Sequence, residues 1–148
     1  MKTLMSILGM IILIHDSFAV DAKALYTTCA ACHGMNGEGV AAMQGPALAG
    51  QSEWYLKRQI KAFQKGHRGG PGDTWGMTMK AMANILATEE QLNAVVKYIS
   101  AMKPAFHAST LVGNASEGKS LYTVCAACHG ADGKGMQALN SPKQLLSP

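Results

Sequence analysis

All four cysteines of this 148-residue chain fall in one pentapeptide written twice, Cys29-Ala30-Ala31-Cys32-His33 and Cys125-Ala126-Ala127-Cys128-His129. On a helical turn, positions i, i+3 and i+4 share a face. The thiols of Cys29 and Cys32 therefore stand together, with the His33 imidazole beside them, and Cys125, Cys128 and His129 repeat the arrangement. Two thiols at that spacing can form thioether bonds to the two vinyl groups of one haem, and the neighbouring imidazole can then reach the iron. Three other chemistries use paired cysteines. A structural zinc site places its second pair ~15–20 residues on, whereas here the pairs lie 96 apart. A thiol–disulfide exchange motif sits in a βαβ context, which this sequence lacks. A plain disulfide framework gives no reason for a histidine after each pair.

The pentapeptides are the centre of a longer repeat. Residues 24–46 match residues 120–142 at thirteen of 23 positions, among them Leu25/Leu121, Tyr26/Tyr122, Gly37/Gly133, Gly39/Gly135 and Pro46/Pro142. A duplicated module has to be recognised before any fold is assigned. After His129 only 19 residues remain, against 71 between His33 and Pro104. The second copy therefore reads as incomplete.

The elements that must position the first motif are helical. Good helix formers over 22–31 run into it, with Gly34 as a stop. Ser52 is placed to cap a helix over 53–65 that lines up Leu56, Ile60 and Phe63 and ends at Gly66. Residues 67–76 read as a polar, glycine-rich loop, and 79–86 as a short helix. Thr88-Glu89-Glu90-Gln91 spells a capping box for a helix with the stripe Leu92, Val95, Val96, Ile99 and Met102, closed by Pro104. No alternating strand pattern occurs, so the fold class expected is all-α. Only three Phe and two Trp are available; a flat apolar macrocycle would supply the buried surface that so few aromatics cannot.

The amino terminus reads as an export signal over 1–19. Lys2 precedes an apolar run over 4–14, and Ser17-Phe18-Ala19 is a small-x-Ala cleavage site, with Ala22 as an alternative. That run is shorter than the roughly 20 residues needed to span a bilayer, which points to a periplasmic product. The formal net charge of +4, without a basic run, gives no nucleic-acid footprint.

Residues 20–104 resemble a class I cytochrome c domain: helix, "CAACHG", the turn "GPALAG", helix, methionine-containing loop, closing helix. With a linker at 105–116 and a truncated second segment at 117–148, the chain resembles a tandem-domain dihaem cytochrome c. The resemblance implies that His33 is the proximal iron ligand and that the Pro46 carbonyl accepts the other ring N–H of His33 and orients the ring. It implies a methionine as the sixth ligand, from "GMTMKAMANIL". Spacing in the family, seven residues before Leu86, selects Met79; Met77 is the alternative, and Met82 reads as a packing residue. Met35, Met43 and Met102 read as loop or packing residues, and His67 and His107 as solvated. His129 is the corresponding metal ligand of the second motif, where Met136 is the only methionine after Cys125.

A His–Met iron has both axial positions filled, and thioether sulfur raises the reduction potential. The expected function is one-electron transfer by haem c, without catalytic turnover. The expected partners are membrane or periplasmic redox proteins such as a quinol-oxidising complex, a terminal oxidase or a reductase, the membrane being met only through them. Cofactor expectations are haem c and its iron in the first module, with a second haem at the C-terminal motif left open. The alternative is a second haem with a free coordination position, acting as a peroxidase or small-gas sensor. A further possibility is one subunit of a larger oxidase or reductase complex.

Overall fold

The computed structural model describes residues 19–104 and 112–144. The export-signal reading, apart from residue 19, lies outside the described residues, as do His107 and most of the linker. Five helices follow in order: α1 (Ala22–His33), α2 (Glu53–Gln64), α3 (Thr74–Ala83), α4 (Glu89–Ser100) and α5 (Ala115–His129). Among the described residues there is no strand; the only pairings are isolated bridges between Val40 and Gly45 and between Met136 and Ser141. The all-α expectation is met.

Each boundary has a local cause. Asp21 Oδ1 accepts the Ala24 N–H at 3.0 Å and starts α1. Gly34, at φ 82°, ends it, its own N–H reaching the Ala30 carbonyl. At α4 the capping box is complete: Thr88 Oγ1 accepts the Gln91 N–H at 3.1 Å, and Gln91 Oε1 accepts the Thr88 N–H at 3.2 Å. α3 begins at Thr74, five residues before the expected start at Met79. Asp73 causes the difference, since its Oδ1 accepts the Gly76 N–H at 2.8 Å and turns the end of the expected loop into a first helical turn. The second module likewise starts early, with α5 opening at Ala115 because Asn114 Oδ1 accepts the N–H groups of Ser116 and Glu117.

Ser52 precedes α2 as expected, but its hydroxyl makes no cap bond and finds no partner among the described residues. The two caps therefore behave differently on truncation. Thr88→Ala should lower unfolding free energy by about 1 kcal/mol, seen as a lower denaturant midpoint at constant m. Ser52→Ala should stay within about 0.5 kcal/mol of wild type, the low end for cap removal. Equal losses at both positions would contradict this account.

α1 packs on α4, and α2 packs on both α3 and α4. The core is made by one face of each: Tyr26 and Ala30; Leu56, Ile60 and Phe63; Ala83; and Leu92, Val95, Val96 and Ile99, with Leu86 between α3 and α4. Burying a side chain of this size contributes roughly 1.5–3 kcal/mol, so these helices fix the backbone around the first motif. Across α1 and α4, Tyr26 and Tyr98 meet with ring centroids 5.6 Å apart. Lys57 and Lys61 of α2 both pair with Glu89 at the start of α4. α5 contributes no buried residue.

The second module is joined to the first by polar contacts. Gln51 Nε2 donates to the Lys143 carbonyl at 3.1 Å, and Lys143 Nζ donates to the Gly50 carbonyl at 3.1 Å. Arg58 Nη1 reaches the Asn140 carbonyl at 3.4 Å.

Candidate haem-attachment sites

The last turn of α1 holds Cys29, Cys32 and His33, and the loop after it folds back over them. Tyr26 OH donates to the Gly34 carbonyl at 2.7 Å, fixing the helix end. Gly39 N–H donates to the His33 carbonyl at 2.8 Å. A tight turn at Ala41–Met43 then brings Gly45 against α1 so closely that a Cβ there would fall 1.7 Å from the Cys32 carbonyl oxygen. The next residue, Pro46, presents its carbonyl oxygen 2.8 Å from His33 Nδ1. With Nδ1–H donating there, the tautomer is set and Nε2 keeps the lone pair a metal requires.

The same construction recurs around α5. Tyr122 OH donates to the Gly130 carbonyl at 3.0 Å, Gly135 N–H to the His129 carbonyl at 2.8 Å, and His129 Nδ1 lies 2.9 Å from the Pro142 carbonyl oxygen. Gln44 and Asn140, at φ 51° and 54°, make the matching left-handed turn. The environments differ: His33 is 7% exposed, and Cys29 and Cys32 are half-buried. Cys125 and Cys128 are exposed, and so are Leu121 and Val124 on the same helix.

No disulfide joins any of the four cysteines. Burial pushes the Cys29 thiol above its usual range, and the neighbouring Cys32 adds to this. Tyr26 is pushed up to about 12, by burial first and then by Cys29 and Glu38 nearby. Its hydroxyl therefore remains a donor at any physiological pH. Among the described residues, no cluster of three His, Cys, Asp or Glu side chains would hold a bare metal ion.

The three candidate methionines all lie on α3. Met79 packs partly buried against the core cluster, as does Cys29 of α1. Met79 is one helical turn before Ala83, which is 1% exposed, so both share the inward face. Met77 is 46% exposed, and Met82, expected as a packing residue, is 37% exposed. Met102 packs against the core, whereas Met35 and Met43 are exposed. His67 is exposed. In the second module Met136 lies on the same loop as Pro142, with its N–H donating to the Ser141 carbonyl.

The donor set fits a covalently held haem: free thiols one turn apart, an imidazole with Nδ1 occupied and Nε2 open, and a thioether on a separate helix. The sequence matches the cytochrome c family over residues 19–103 and 115–147. The chain belongs to the cytochrome c family. It is thus a c-type haem protein, with haem c and its iron as cofactor. This cytochrome c is 32% identical over 149 residues to cytochrome c4 of Azotobacter vinelandii, covering 90% of this chain and 68% of that one. It is 33% identical over 129 residues to the Cbb3-type cytochrome c oxidase subunit CcoP of Rubrivivax gelatinosus, covering 85% of this chain and 38% of that protein. The crystal structure of reduced recombinant cytochrome c4 from Pseudomonas stutzeri superposes with a TM-score of 0.64 at 26% identity, over 84% of this chain and 70% of that one. The chain spans 38%, 55% and 63% of the length of three curated relatives it matches.

Sequence reasoning missed Tyr26 as a structural part of the site. Its signal was present: a tyrosine three residues before the first cysteine in both copies. Asp73, the residue that starts the methionine-bearing helix, was passed over because the residues before it read as loop. The contacts of Gln51, Arg58 and Lys143 between modules leave no periodic trace.

Proposed function

We propose that this cytochrome c is a periplasmic one-electron carrier whose first-module iron is held between His33 and Met79. Thioether bonds from Cys29 and Cys32 would anchor the haem, which supplies a one-electron iron couple. His33 would be oriented by Pro46, and Met79 would close the opposite face. The observation that carries the reading is the occupied Nδ1 of His33, 2.8 Å from the Pro46 carbonyl oxygen, with Met79 alone of the α3 methionines packed on the core. The helices around this site keep the ligands in place as the charge of the centre changes, so little reorganisation accompanies each electron. No side chain here needs to act as acid, base or nucleophile.

The module at 117–148 is taken to carry a second haem on Cys125, Cys128 and His129, because Pro142 and Tyr122 repeat the contacts made by Pro46 and Tyr26. Export to the periplasm through residues 1–19 is part of the proposal. So are electron-exchange partners that include an oxidase or reductase; similarity to an oxidase subunit supports that class. A second reading, in which the second haem has an open position and binds small ligands, is favoured by the placement of Met136 on the loop that orients His129.

A visible spectrum with a haem-per-chain count tests the whole proposal. Material expressed with working haem-ligation machinery should be red, with a Soret band and haem attached to the polypeptide after denaturation. A colourless product would end it.

A further inference from the structure

The loop that orients each histidine needs backing, and the two modules find it in different places. In the first module the chain after Pro46 is backed from within: Leu48 packs on the core, and Ala49 is 1% exposed. Gly37 lies close to Met102 and Gly50 close to Pro104, just beyond α4, so that a side chain at either glycine would crowd them. No α-helix follows α5 among the described residues, so no closing helix of its own backs the second loop there.

That loop is held by the first module instead. On one side of Pro142, the Asn140 carbonyl accepts from Arg58 Nη1 at 3.4 Å. On the other side, the Lys143 carbonyl accepts from Gln51 Nε2 at 3.1 Å, and Lys143 Nζ donates to the Gly50 carbonyl at 3.1 Å. Between these fixed points the Pro142 carbonyl oxygen sits 2.9 Å from His129 Nδ1. The Gln51 contact also settles which end of the amide is which, since only an NH₂ can donate to a carbonyl oxygen. Its Oε1 is left buried without a partner among the described residues. A buried polar atom left unpaired costs stability, so the stability of its own loop does not account for a glutamine here.

We propose that Gln51 is a positioning residue for the second haem site: through Lys143 it holds the Pro142 carbonyl on Nδ1–H of His129. The proposal rests on the reading of His129 as a haem ligand. Donation from Nδ1–H to a carbonyl raises the basicity of the ring, and with it the donation through Nε2. A stronger donor stabilises ferric over ferrous iron, so the bond lowers the reduction potential. Releasing Lys143 lets Pro142 drift from the ring, and the potential of the second haem rises. The first module thereby tunes the second through a contact between residues 92 apart in sequence.

The test is a potentiometric titration of the full holoprotein, with a haem count on each sample, for wild type and Gln51→Met. Methionine is similar to glutamine in length and equally uncharged, and it removes the donor and the unpaired oxygen together. The denaturant midpoint should therefore stay close to that of wild type. Wild type should hold two haems, and the step belonging to the second is the one absent from Cys125→Ala with Cys128→Ala. In Gln51→Met that step should rise, the oxidised-to-reduced ratio at fixed potential falling about tenfold, equivalent to ~59 mV for one electron. The step of the first haem should not move. Gln51 follows the loop that orients His33, so a merely structural role would move the first step as well. An unmoved second step, or two steps moving together, would overturn the role of Gln51 while leaving His129 as a ligand. One haem in wild type would overturn the ligand reading and the proposal with it. If methionine costs the second haem, Gln51→Asn decides: it keeps the donor one methylene short and should give a smaller rise, and no rise there would overturn the role.

Discussion

Met79→Ala is expected to abolish the sulfur–iron charge-transfer absorbance of the oxidised protein and to lower the potential of the first haem. The argument starts from α3, whose helical register divides its methionines. Met79 and Ala83 are one turn apart on the buried side, and Met77 is about 200° around the helix from Met79 by the 3.6-residue repeat. Met77 is 46% exposed, so reaching the interior from there would require α3 to rotate or unwind. Met82 is nearer in register, yet 37% exposed. With Met79 as the proposed sixth ligand, alanine at 79 would leave only a weaker donor in its place. The potential should then fall by a sizeable part of the ~0.8 V range that axial ligands span. Some stability is lost as well, towards the low end of the 2–5 kcal/mol typical of Met→Ala truncation, because Met79 is only partly buried. Met77→Ala and Met82→Ala should leave both band and potential close to wild type. If Met77→Ala removes the band while Met79→Ala retains it, the ligand assignment passes to Met77.

The comparison of sequence with structure follows a physical divide. Features encoded by short-range chemistry were legible. The capping box at Thr88–Gln91 formed as written, the stripe from Leu92 to Ile99 is buried, and Gly34 ends α1 at φ 82°. Each depends on residues within one or two turns. Ser52 shows the limit: its residue type fits an N-cap, but the hydroxyl is buried without a bond, because the approach of the chain and not the side chain decides where Oγ points. The early start of α3 has the opposite lesson, since one aspartate outweighed a run of glycines before it. Exposure of Met82 was illegible for a different reason. It falls at the edge of the apolar face of α3, where a periodicity argument cannot separate inward from outward. Long-range polar contacts, such as Gln51 to Lys143 and Gln144 to His129, carry no sequence period at all. Only the second has any sequence trace, when the two copies are laid over each other and Gln144 falls at the place of Leu48.

That same overlay leads to the other large effect expected, at the second site. The contacts of Pro142, Tyr122 and Gly135 orient His129 from one side only, and the single methionine among residues 112–144 is Met136, on the loop that includes Pro142. In the proposed first site the opposite ligand, Met79, would come from α3, a separate helix. No equivalent helix covers α5 among the described residues, where Cys125, Cys128, Leu121 and Val124 are exposed. On the open-position reading of the second site, carbon monoxide added to the reduced protein should bind about half of the haem within mixing time, because only an iron with a free or weakly held position admits it. Cys125→Ala with Cys128→Ala should halve the haem per chain and remove the fast CO phase, leaving the sulfur–iron band of the first module intact. A fast phase that survives the double substitution would place the open coordination at the first iron, against the assignment of Met79. Two haems with no fast phase would mean that a ligand from outside residues 112–144 closes the second iron, and both centres would then serve only to pass electrons.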